Sequence, residues 1–565
     1  MILQKVEEMR MKKTIYENEE WLGKEPQIGQ EMIGEHVKAD IIVVGAGIAG
    51  VSAARRATEL GASVIVIEKC MLVQARSGDF ALMDSKVAAK WGRDKIDKAE
   101  IVNALMQDMA YKANQNILRR WADEAGMAFD WYTGAMPEIE ILDWTGQVPT
   151  PGVRCWIQPR RLPLPPTFDN CTERYKCFQV TAWVRPSHVA LCRKNFRIAQ
   201  ESGLVKAYFD TRALKLIRED EGRVSGVIAR TKDGVYIQAE AAKGVILATG
   251  DYMSDEAMLK RFLPGSAETP KQWTSFDRDM QPSNTGDGHK MAVWAGARIQ
   301  DSPHAPCAHH MGSVFGVSDF LLLNTQGKRF VNEDAPGQQL GSQIEQLPDK
   351  TAWQIIDGNW REYIPREYPN HGNVCYVVED EELESGKIYN KLCFIDNYVS
   401  PGYVEKAVAD GSLIRADSVE ELIEKTGMPK EEALRSVERY NAVCRQGKDE
   451  DYGKRSDRLF AVEKPPFYAA KFTPAIMIAA MGGIQSDEEA RCYDTEGKVI
   501  PGLYAAGNVQ GNRVAVDYPL TVPGLSHSLA LVYGRVAAES AVKEHGRIKE
   551  IPQGYPRCRK RTRQN

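Results

Sequence analysis

The stretch ADIIVVGAGIAGVSAARRATELGASVIVIEK, residues 39–69, decides the fold. Residues 41–44 form a short apolar, β-branched run, which is typical of a strand buried in a parallel sheet. This run leads directly into GAGIAG, residues 45–50, and a helical segment follows. A second apolar run at 63–67 then ends in an acid. The order predicts a strand, a tight turn, a helix and a second parallel strand.

The three glycines of the turn and the acid have the spacing of a dinucleotide site. Gly45 permits the tight turn, Gly47 lets the backbone approach a pyrophosphate, and Gly50 lets the helix pack closely on the strand. The helix N-terminus favours the negative charge of the pyrophosphate. Glu68 lies where a carboxylate accepts the ribose hydroxyls. This pattern fits NAD and FAD equally. The predicted cofactor contacts are Gly45, Gly47, Ala49, Gly50, Glu68 and Lys69.

Two later stretches favour FAD. GVILATG, residues 244–250, resembles the strand and turn that return to the adenine side in two-dinucleotide-domain flavoproteins. PGLYAAGN, residues 501–508, resembles their C-terminal flavin strand. An apolar helix predicted at 525–538 would direct its N-terminus at the isoalloxazine, where its dipole stabilises an anionic reduced flavin. The further predicted cofactor contacts are Ala248, Thr249, Gly250, Asp287, Gly507, Asn508, Leu525 and Ser526.

The composition is that of a soluble globular protein. With 565 residues, 43% of them apolar and 27% charged, we expect two or three compact units. A net charge of −4 with both signs mixed gives no case for binding nucleic acid. We read no export signal and no run of ~20 apolar residues, so we expect a cytoplasmic protein without a membrane span. The eleven cysteines include no C-x-x-C pair, so we expect no metal site and no built-in metal relay for electrons.

Several segments occur in the order known from one superfamily. They are ARSGDFALM at 75–83, NTGDG at 284–288, GKRFVNE at 327–333 and SVERYNAVCRQGKDEDYGKR at 436–455. Together with the flavin strand, they resemble the fumarate reductase/succinate dehydrogenase flavoprotein superfamily, which includes 3-ketosteroid dehydrogenases. The resemblance covers roughly residues 38–545.

The resemblance implies an α/β fold, in which a Rossmann-type FAD-binding domain is split by an inserted, mobile α+β cap domain. It also implies that Ser77 and Gly78 contact the flavin. No histidine lies near residues 70–90, so we expect FAD to be bound non-covalently. The expected division is an N-terminal extension at 1–37, the FAD-binding domain at 38–304 and 479–545, the cap at 305–478 and a basic tail at 546–565.

The residues that bind fumarate in this superfamily have no counterparts here. The position of the catalytic arginine holds Gly337, and that of the substrate histidine holds Ala479. A dicarboxylate needs cations in a dry site, because removing a carboxylate from water uncompensated costs several kcal/mol. The sequence therefore excludes fumarate and succinate as substrates. The other charged positions fall on Ser313, Gly316 and Thr521, and His304 is the nearest candidate for the remaining histidine.

The ketosteroid dehydrogenases imply a different substrate contact. In them a tyrosine hydroxyl and a backbone N–H polarise the steroid C3 carbonyl, as an oxyanion hole does. Tyr518 and the Gly524 N–H are the matching candidates. This tyrosine lies six residues before the glycine, further than in that family, so a packing role for Tyr518 stays open.

A proton-transfer group is also needed. His309 and His310 are candidates because histidine titrates near neutral pH. Tyr132 and Arg513 are further candidates. Two family residues, Arg329 and Glu333, are instead expected to form ion pairs and turns in the cap.

These parts predict an FAD-dependent oxidoreductase that acts on a C=C bond conjugated to a carbonyl, by hydride transfer through flavin N5. We expect it to reduce a small apolar enone, specifically a 3-oxo-Δ4 steroid or bile-acid derivative. Residues 21–28 resemble leaders of reductases from anaerobic bacteria. The alternatives are a 3-ketosteroid dehydrogenase working oxidatively, a reductase of another enone or enoate, a flavoprotein subunit of an electron-transfer complex, and an amine oxidase.

The electron donor stays open. No second glycine pattern for a dedicated NADH domain is evident, so NAD(P)H or a donor flavoprotein would deliver the electrons. The sequence predicts no oligomeric state.

Overall fold

A computed structural model describes most of the chain. The described residues are 15–16, 19–75, 79–90, 95–137, 140–141, 156–159, 173–176, 178, 180–185, 188–271, 275–309, 312–317, 319–368, 374–384, 398–473 and 476–544.

The strands of the described part are numbered in chain order. They are β1 Ile33–Val44, β2 Val64–Ile67, β3 Asp79–Ala81, β4 Glu140–Ile141, β5 Trp156–Pro159, β6 Thr181–Arg185, β7 Val205–Tyr208, β8 Thr211–Arg218, β9 Val224–Thr231, β10 Tyr236–Leu247, β11 Ala305–His309, β12 Leu321–Asn324, β13 Ala352–Ile356, β14 Tyr376–Val377, β15 Tyr398–Val399, β16 Ile414–Ala416, β17 Phe467–Phe472, β18 Ile476–Met481, β19 Arg491–Tyr493 and β20 Val499–Ala505.

The α-helices of the described part are numbered in the same way. They are α1 Ile48–Glu59, α2 Lys86–Lys90, α3 Lys98–Asp108, α4 Gln115–Thr133, α5 His188–Glu201, α6 Glu256–Phe262, α7 Asp287–Trp294, α8 Gly337–Glu345, α9 Trp360–Tyr363, α10 Asp380–Glu384, α11 Pro401–Ala409, α12 Val419–Thr426, α13 Lys430–Gln446 and α14 Leu525–Glu544.

The main sheet is built around a parallel centre. Its order is β19-β20-β10-β1-β2-β7, and the β8–β9 hairpin pairs with β10. β20, β10, β1, β2 and β7 run parallel to one another. The carboxyl ends of these strands therefore meet at one edge, where ligands bind in open α/β sheets.

β1 sends alternate side chains into two cores. Ile41 and Val43 contribute to one core, and Ile42 and Val44 contribute to the other. A parallel strand covered on both faces is continuously apolar, which is why the sequence located this strand. β1 also begins before the apolar run at 41–44. Its residues 33–39 pair with β10 and not with β2.

Glycines set the distance between α1 and its neighbours. A Cβ on Gly50 would lie 1.9 Å from the carbonyl oxygen of Gly45. A Cβ on Gly534 of α14 would lie 2.3 Å from the carbonyl oxygen of Ala49. No side chain fits at either position, so α1 packs closely on the turn and α14 packs closely on α1.

Residues 319–473 contribute a separate antiparallel sheet with the order β12-β13-β17-β16. α12 and α13 cover one face of it through Leu422 and Val437. β11 and β18 pair with each other, so the chain enters and leaves this region through neighbouring strands. The domain limits and the mobility of a cap stay predictions.

α14 is the longest described helix and lies largely buried, packed mainly against α1 and α4. Of the helices that the structure describes, none combines the length and the apolarity that a bilayer span requires.

Candidate active site

The turn after β1 leaves open space beside one of its glycines. Gly45 has a φ of 104°, and a Cβ there would lie 2.3 Å from the carbonyl oxygen of Ala248. A Cβ on Gly47 would meet no protein atom within 4 Å. Gly47 lines a cavity at the carboxyl ends of β1, β2 and β10. This space allows a phosphate to approach the backbone.

Two backbone donors hold Glu68 at the end of β2. The N–H of Ala46 donates to Oε2 at 2.6 Å, and the N–H of Cys70 donates to Oε1 at 2.7 Å. Glu68 also lines the cavity. A carboxylate has acceptor positions beyond these two, so it can accept hydrogen bonds from a ribose as well.

Asp287 begins α7 between two cations. Lys69 Nζ lies 2.9 Å from Oδ2, and Arg212 Nη2 lies 2.8 Å from Oδ1. Burial alone would raise the pKa of Asp287, but the attraction of Lys69 and Arg212 outweighs it and lowers the pKa to about 2. Lys69 also donates to Thr285 Oγ1 at 2.7 Å. This cluster ties β2 to α7 across the cavity.

Two buried polar atoms in this wall have no protein partner. Thr249 Oγ1 and Asn284 Oδ1 are buried without a hydrogen bond to any described residue, and both residues line the cavity. Buried polar groups are normally bonded, so a polar ligand accounts for both atoms. With the space beside Gly47 and the carboxylate of Glu68, these residues fit an FAD molecule.

A second chamber continues from the first and holds about 1150 Å³ of empty space, including its open mouth. Its lining includes Gly507, Asn508 and Ser526. Most of the lining surface is apolar, so the chamber can hold a ring system or another apolar body. Its apolar lining includes Ile478, Ala479, Met481, Leu520, Pro523 and Ala530.

Tyr518 lies on this second chamber and is 5% exposed. The backbone N–H of Ser526 donates to its hydroxyl oxygen at 3.0 Å. Gly524 also lines the chamber and has a φ of 79°. The structure thus brings Tyr518, Gly524 and Ser526 together at the start of α14.

Arg513 is buried directly behind the same wall. Its Nη2 donates to Asn508 Oδ1 and lies 3.7 Å from Met481 Sδ. Burial lowers the pKa of Arg513 to about 10, against the attraction of Tyr518 and Asp251, so the guanidinium is protonated at neutral pH. Among the residues that the structure describes, none forms a hydrogen bond with its Nη1.

Two histidines that the sequence did not single out line the second chamber. His188 begins α5, and His527 lies in the first turn of α14. Their ring centroids are 5.7 Å apart, and both rings contact Phe80. His188 Nε2 lies 3.2 Å from the hydroxyl of Tyr132. The sequence signal that could have identified them was a histidine at the start of each of these two helical segments.

Several predicted residues lie elsewhere or outside the described residues. Ser77, Gly78 and His310 are outside them. His309 ends β11, and only its backbone is described. His304 stacks on Phe262, and its Nδ1 lies within hydrogen-bond distance, 2.6 Å, of the Tyr252 hydroxyl. It lines a different cavity. Burial lowers the pKa of His304 to about 3, so it is neutral.

Arg329 and Glu333 form a buried ion cluster away from the chamber. Arg329 donates to both oxygens of Glu333, at 2.9 and 2.8 Å, and to both oxygens of Asp449, at 3.1 and 2.8 Å. Its guanidinium also lies over the rings of Tyr440 and Tyr452. These contacts give Arg329 and Glu333 a structural role within this part of the protein.

At the segment where the fumarate enzymes have their catalytic arginine, this chain has a glycine followed by two glutamines. Gly337 begins α8, where a Cβ would lie 2.3 Å from Val317 Cγ2. The next residue, Gln338, donates to the Tyr518 carbonyl at 2.9 Å and also bonds Asp517. Gln339 donates to the other oxygen of Asp517 at 2.6 Å. These contacts fix the backbone beside Tyr518.

Comparison with known families decides the identity of the cofactor site. The family described as "FAD binding domain" matches residues 40–521. The chain belongs to this family. The match spans the glycine turn, the first cavity and the separate sheet, and it confirms the prediction of an FAD-binding flavoprotein.

The curated relatives are oxidoreductases by name. NADH:acrylate oxidoreductase of Vibrio harveyi is 29% identical over 376 residues, which are 63% of this chain and 32% of that protein. The chain thus spans about a third of the length of this relative. Fumarate reductase (cytochrome) of Shewanella frigidimarina is 25% identical over 532 residues, 90% of this chain and 78% of that protein. Other matches are named vinyl phenol reductase, urocanate reductase and 3-oxosteroid 1-dehydrogenase.

A solved structure shows the same fold. The 3-ketosteroid-Δ4-(5α)-dehydrogenase of Rhodococcus jostii RHA1, in complex with 4-androstene-3,17-dione, aligns with a TM-score of 0.66 at 21% identity. The alignment covers 92% of this chain and 99% of that one. The predicted membership of the superfamily of fumarate reductases and ketosteroid dehydrogenases is confirmed.

Within the described residues, no group of three or more His, Cys, Asp or Glu side chains is arranged to hold a metal ion.

Proposed function

We propose that this protein is an FAD-dependent reductase of a C=C bond conjugated to a carbonyl, with a 3-oxo-Δ4 steroid or bile-acid-like compound as substrate. The observation that carries the proposal is the position of Tyr518, whose hydroxyl lies on a largely apolar chamber at the N-terminus of α14. When bound, FAD supplies the two-electron chemistry.

The residues of the chain have three tasks in this proposal. The apolar wall around Leu520 and Ile478 holds the body of the substrate and excludes water. Tyr518 donates a hydrogen bond to the substrate carbonyl, on which negative charge develops. The Ser526 N–H, which donates to the Tyr518 hydroxyl oxygen, polarises the phenol and strengthens it as a donor.

The absence of cationic side chains at the fumarate positions supports a neutral substrate. Ala479 lines the chamber where the fumarate enzymes place a histidine, and Gly337 replaces their arginine. Thr521 donates to Asp108 rather than presenting a positive charge. A dicarboxylate would be desolvated here without the cations that the fumarate enzymes supply at these positions.

Product analysis tests this proposal. The reduced holoenzyme should saturate the ring double bond of a 3-oxo-Δ4 steroid and leave the corresponding 3-hydroxy-Δ4 steroid unchanged, because only the ketone offers an oxygen for Tyr518. Equal conversion of both steroids would contradict the role of the carbonyl.

A second candidate is a reductase of a smaller conjugated acid. The imidazoles of His188 and His527 on the chamber wall favour it, because they give one region of the chamber hydrogen-bonding capacity. The names of the acrylate and urocanate enzymes agree with such a substrate. Acrylate and urocanate in the same product assay distinguish the two candidates. NAD(P)H as the electron donor is a further proposal, supported by the name of the acrylate enzyme.

A further inference from the structure

Arg513 is a buried cation without a direct ionic partner. It is 2% exposed, and no carboxylate of the described residues lies within 4.0 Å of its guanidinium. Its Nη2 is satisfied by the neutral Asn508, and its Nη1 has no acceptor. Burying a charge in this way is costly unless another charge or a bound group compensates it.

The carboxylate of Asp251 attracts this charge without forming a direct ion pair with it. Asp251 is within electrostatic reach of Arg513, but its Oδ1 accepts from the Met253 N–H at 2.9 Å. Its Oδ2 accepts from Asn284 at 3.0 Å and from Asn508 at 3.4 Å. Burial lowers the pKa of Arg513 in spite of this attraction, so the compensation is incomplete.

The neighbours of Arg513 show where a group that balances its charge would bind. The side chains near it include Asn508, Met481, Tyr518 and Cys307, and all four line the second chamber. Asn508 also accepts from Ser526 Oγ at 3.2 Å, at the start of α14. The positive charge of Arg513 and the positive end of the α14 dipole therefore act on the same part of the chamber.

The backbone around Arg513 is strained. Asn512 has a φ of 63° and Val516 has a φ of 69°, a region that a β-branched residue rarely adopts. Gln300 holds this segment by accepting from the Asn512 N–H at 2.8 Å and by donating to the Val514 carbonyl at 3.2 Å. Such strain persists where the surrounding structure fixes it, often at functional sites.

We propose that Arg513 supplies the fixed positive charge that stabilises the reduced, anionic form of the bound flavin. Two electrons and one proton convert an oxidised flavin into its reduced monoanion, so one negative charge remains for Arg513 to balance. The proposal rests on FAD binding alone and goes beyond the substrate proposed above. It therefore survives if the steroid assignment fails.

The test needs no substrate. Arg513→Met removes the charge at similar length, Arg513→Lys keeps it, and Arg535→Met is the matched control. Arg535 is also buried, but it lies over Trp131, three turns along α14. For each FAD-loaded variant we would measure the flavin midpoint potential and the affinity for sulfite, which adds to the oxidised flavin and leaves a negative charge on it.

We expect Arg513→Met to bind sulfite about tenfold or more weakly and to have a lower midpoint potential. Arg513→Lys should retain most of both properties, and Arg535→Met should retain both. Arg513→Met with wild-type potential and sulfite affinity would overturn the proposal. The same result combined with weaker binding of acrylate would assign the charge to an anionic substrate instead, and would also overturn it.

Loss of FAD from Arg513→Met leaves a decisive measurement on the wild-type protein. Its reduced flavin should keep the absorbance spectrum of the anion at and below neutral pH. Uptake of a second proton near neutral pH would contradict a fixed positive charge at this position.

Discussion

The backbone N–H of Ser526, in the first turn of α14, donates a hydrogen bond to the hydroxyl oxygen of Tyr518 at 3.0 Å. This contact joins the loop before α14 to the helix N-terminus at the wall of the second chamber. It gives Tyr518 a fixed direction, which a donor to a developing negative charge requires.

Tyr518→Phe should lower turnover by about 10²–10³-fold, because loss of one oxyanion donor has this magnitude. FAD should still bind, since the phenol ring and its packing remain. Tyr452→Phe is the control, because its hydroxyl donates to the Arg329 carbonyl at 2.9 Å in an exposed part of the protein. Steady-state rates and the flavin content of both variants give the answer. Full activity of Tyr518→Phe would leave the tyrosine with a packing role.

Gly47→Ala and Gly50→Ala should fail in different ways. A Cβ on Gly47 meets no protein atom, so we expect the free energy of unfolding without FAD to change by less than about 0.5 kcal/mol and FAD binding to weaken. A Cβ on Gly50 would collide with the Gly45 carbonyl oxygen, so this variant should be less stable even without FAD. Urea unfolding and FAD titration separate the two effects. Normal FAD affinity of Gly47→Ala would place the pyrophosphate elsewhere.

Asp287→Asn should lower the free energy of unfolding by about 2 kcal/mol at neutral pH. The pKa of Asp287 is about 2 in the folded protein and lies near 4 in an unfolded chain, as an ordinary aspartate does. The contribution is therefore complete above about pH 4 and is lost as the pH falls towards about 2. Urea unfolding over this range should show the two proteins converging in stability. The exposed Asp233→Asn is the control, and a stability difference independent of pH would contradict the ionic explanation.

Arg329→Met should destabilise the protein by about 3–5 kcal/mol, because it leaves the buried carboxylate of Asp449 without its cation and that of Glu333 with Lys454 alone. The exposed Arg415→Met should change stability little. Denaturant unfolding measures both. A stable Arg329→Met protein that binds FAD and has lost turnover would show that Arg329 acts in catalysis, against the framework role.

The fold could be predicted for units whose residues lie close together in the sequence. The turn from Gly45 to Gly50 and the acid at Glu68 lie within one strand–helix–strand unit, so their spacing alone predicts the fold of this unit and its contacts with a dinucleotide. The same holds for the flavin strand, which forms β20 beside β10.

The residues of the second chamber were harder to predict because they come from distant segments. His188 and His527 meet only because α5 and α14 both begin against Phe80. Arg513 was a candidate for proton transfer, but only the packing around Asn508 shows that it lacks an ionic partner among the described residues. His304 followed from the family alignment, yet burial against Phe262 and Tyr252 places it in another cavity.

The most direct test of the proposed function is an anaerobic half-reaction. The bound flavin is reduced, mixed separately with a 3-oxo-Δ4 steroid and with fumarate, and its reoxidation is followed by absorbance. We predict rapid reoxidation by the steroid and none by fumarate, because Tyr518 lines a largely apolar chamber and because Ala479 and Gly337 replace charged residues of the fumarate enzymes. Rapid reoxidation by fumarate, with none by the steroid, would contradict the proposed function.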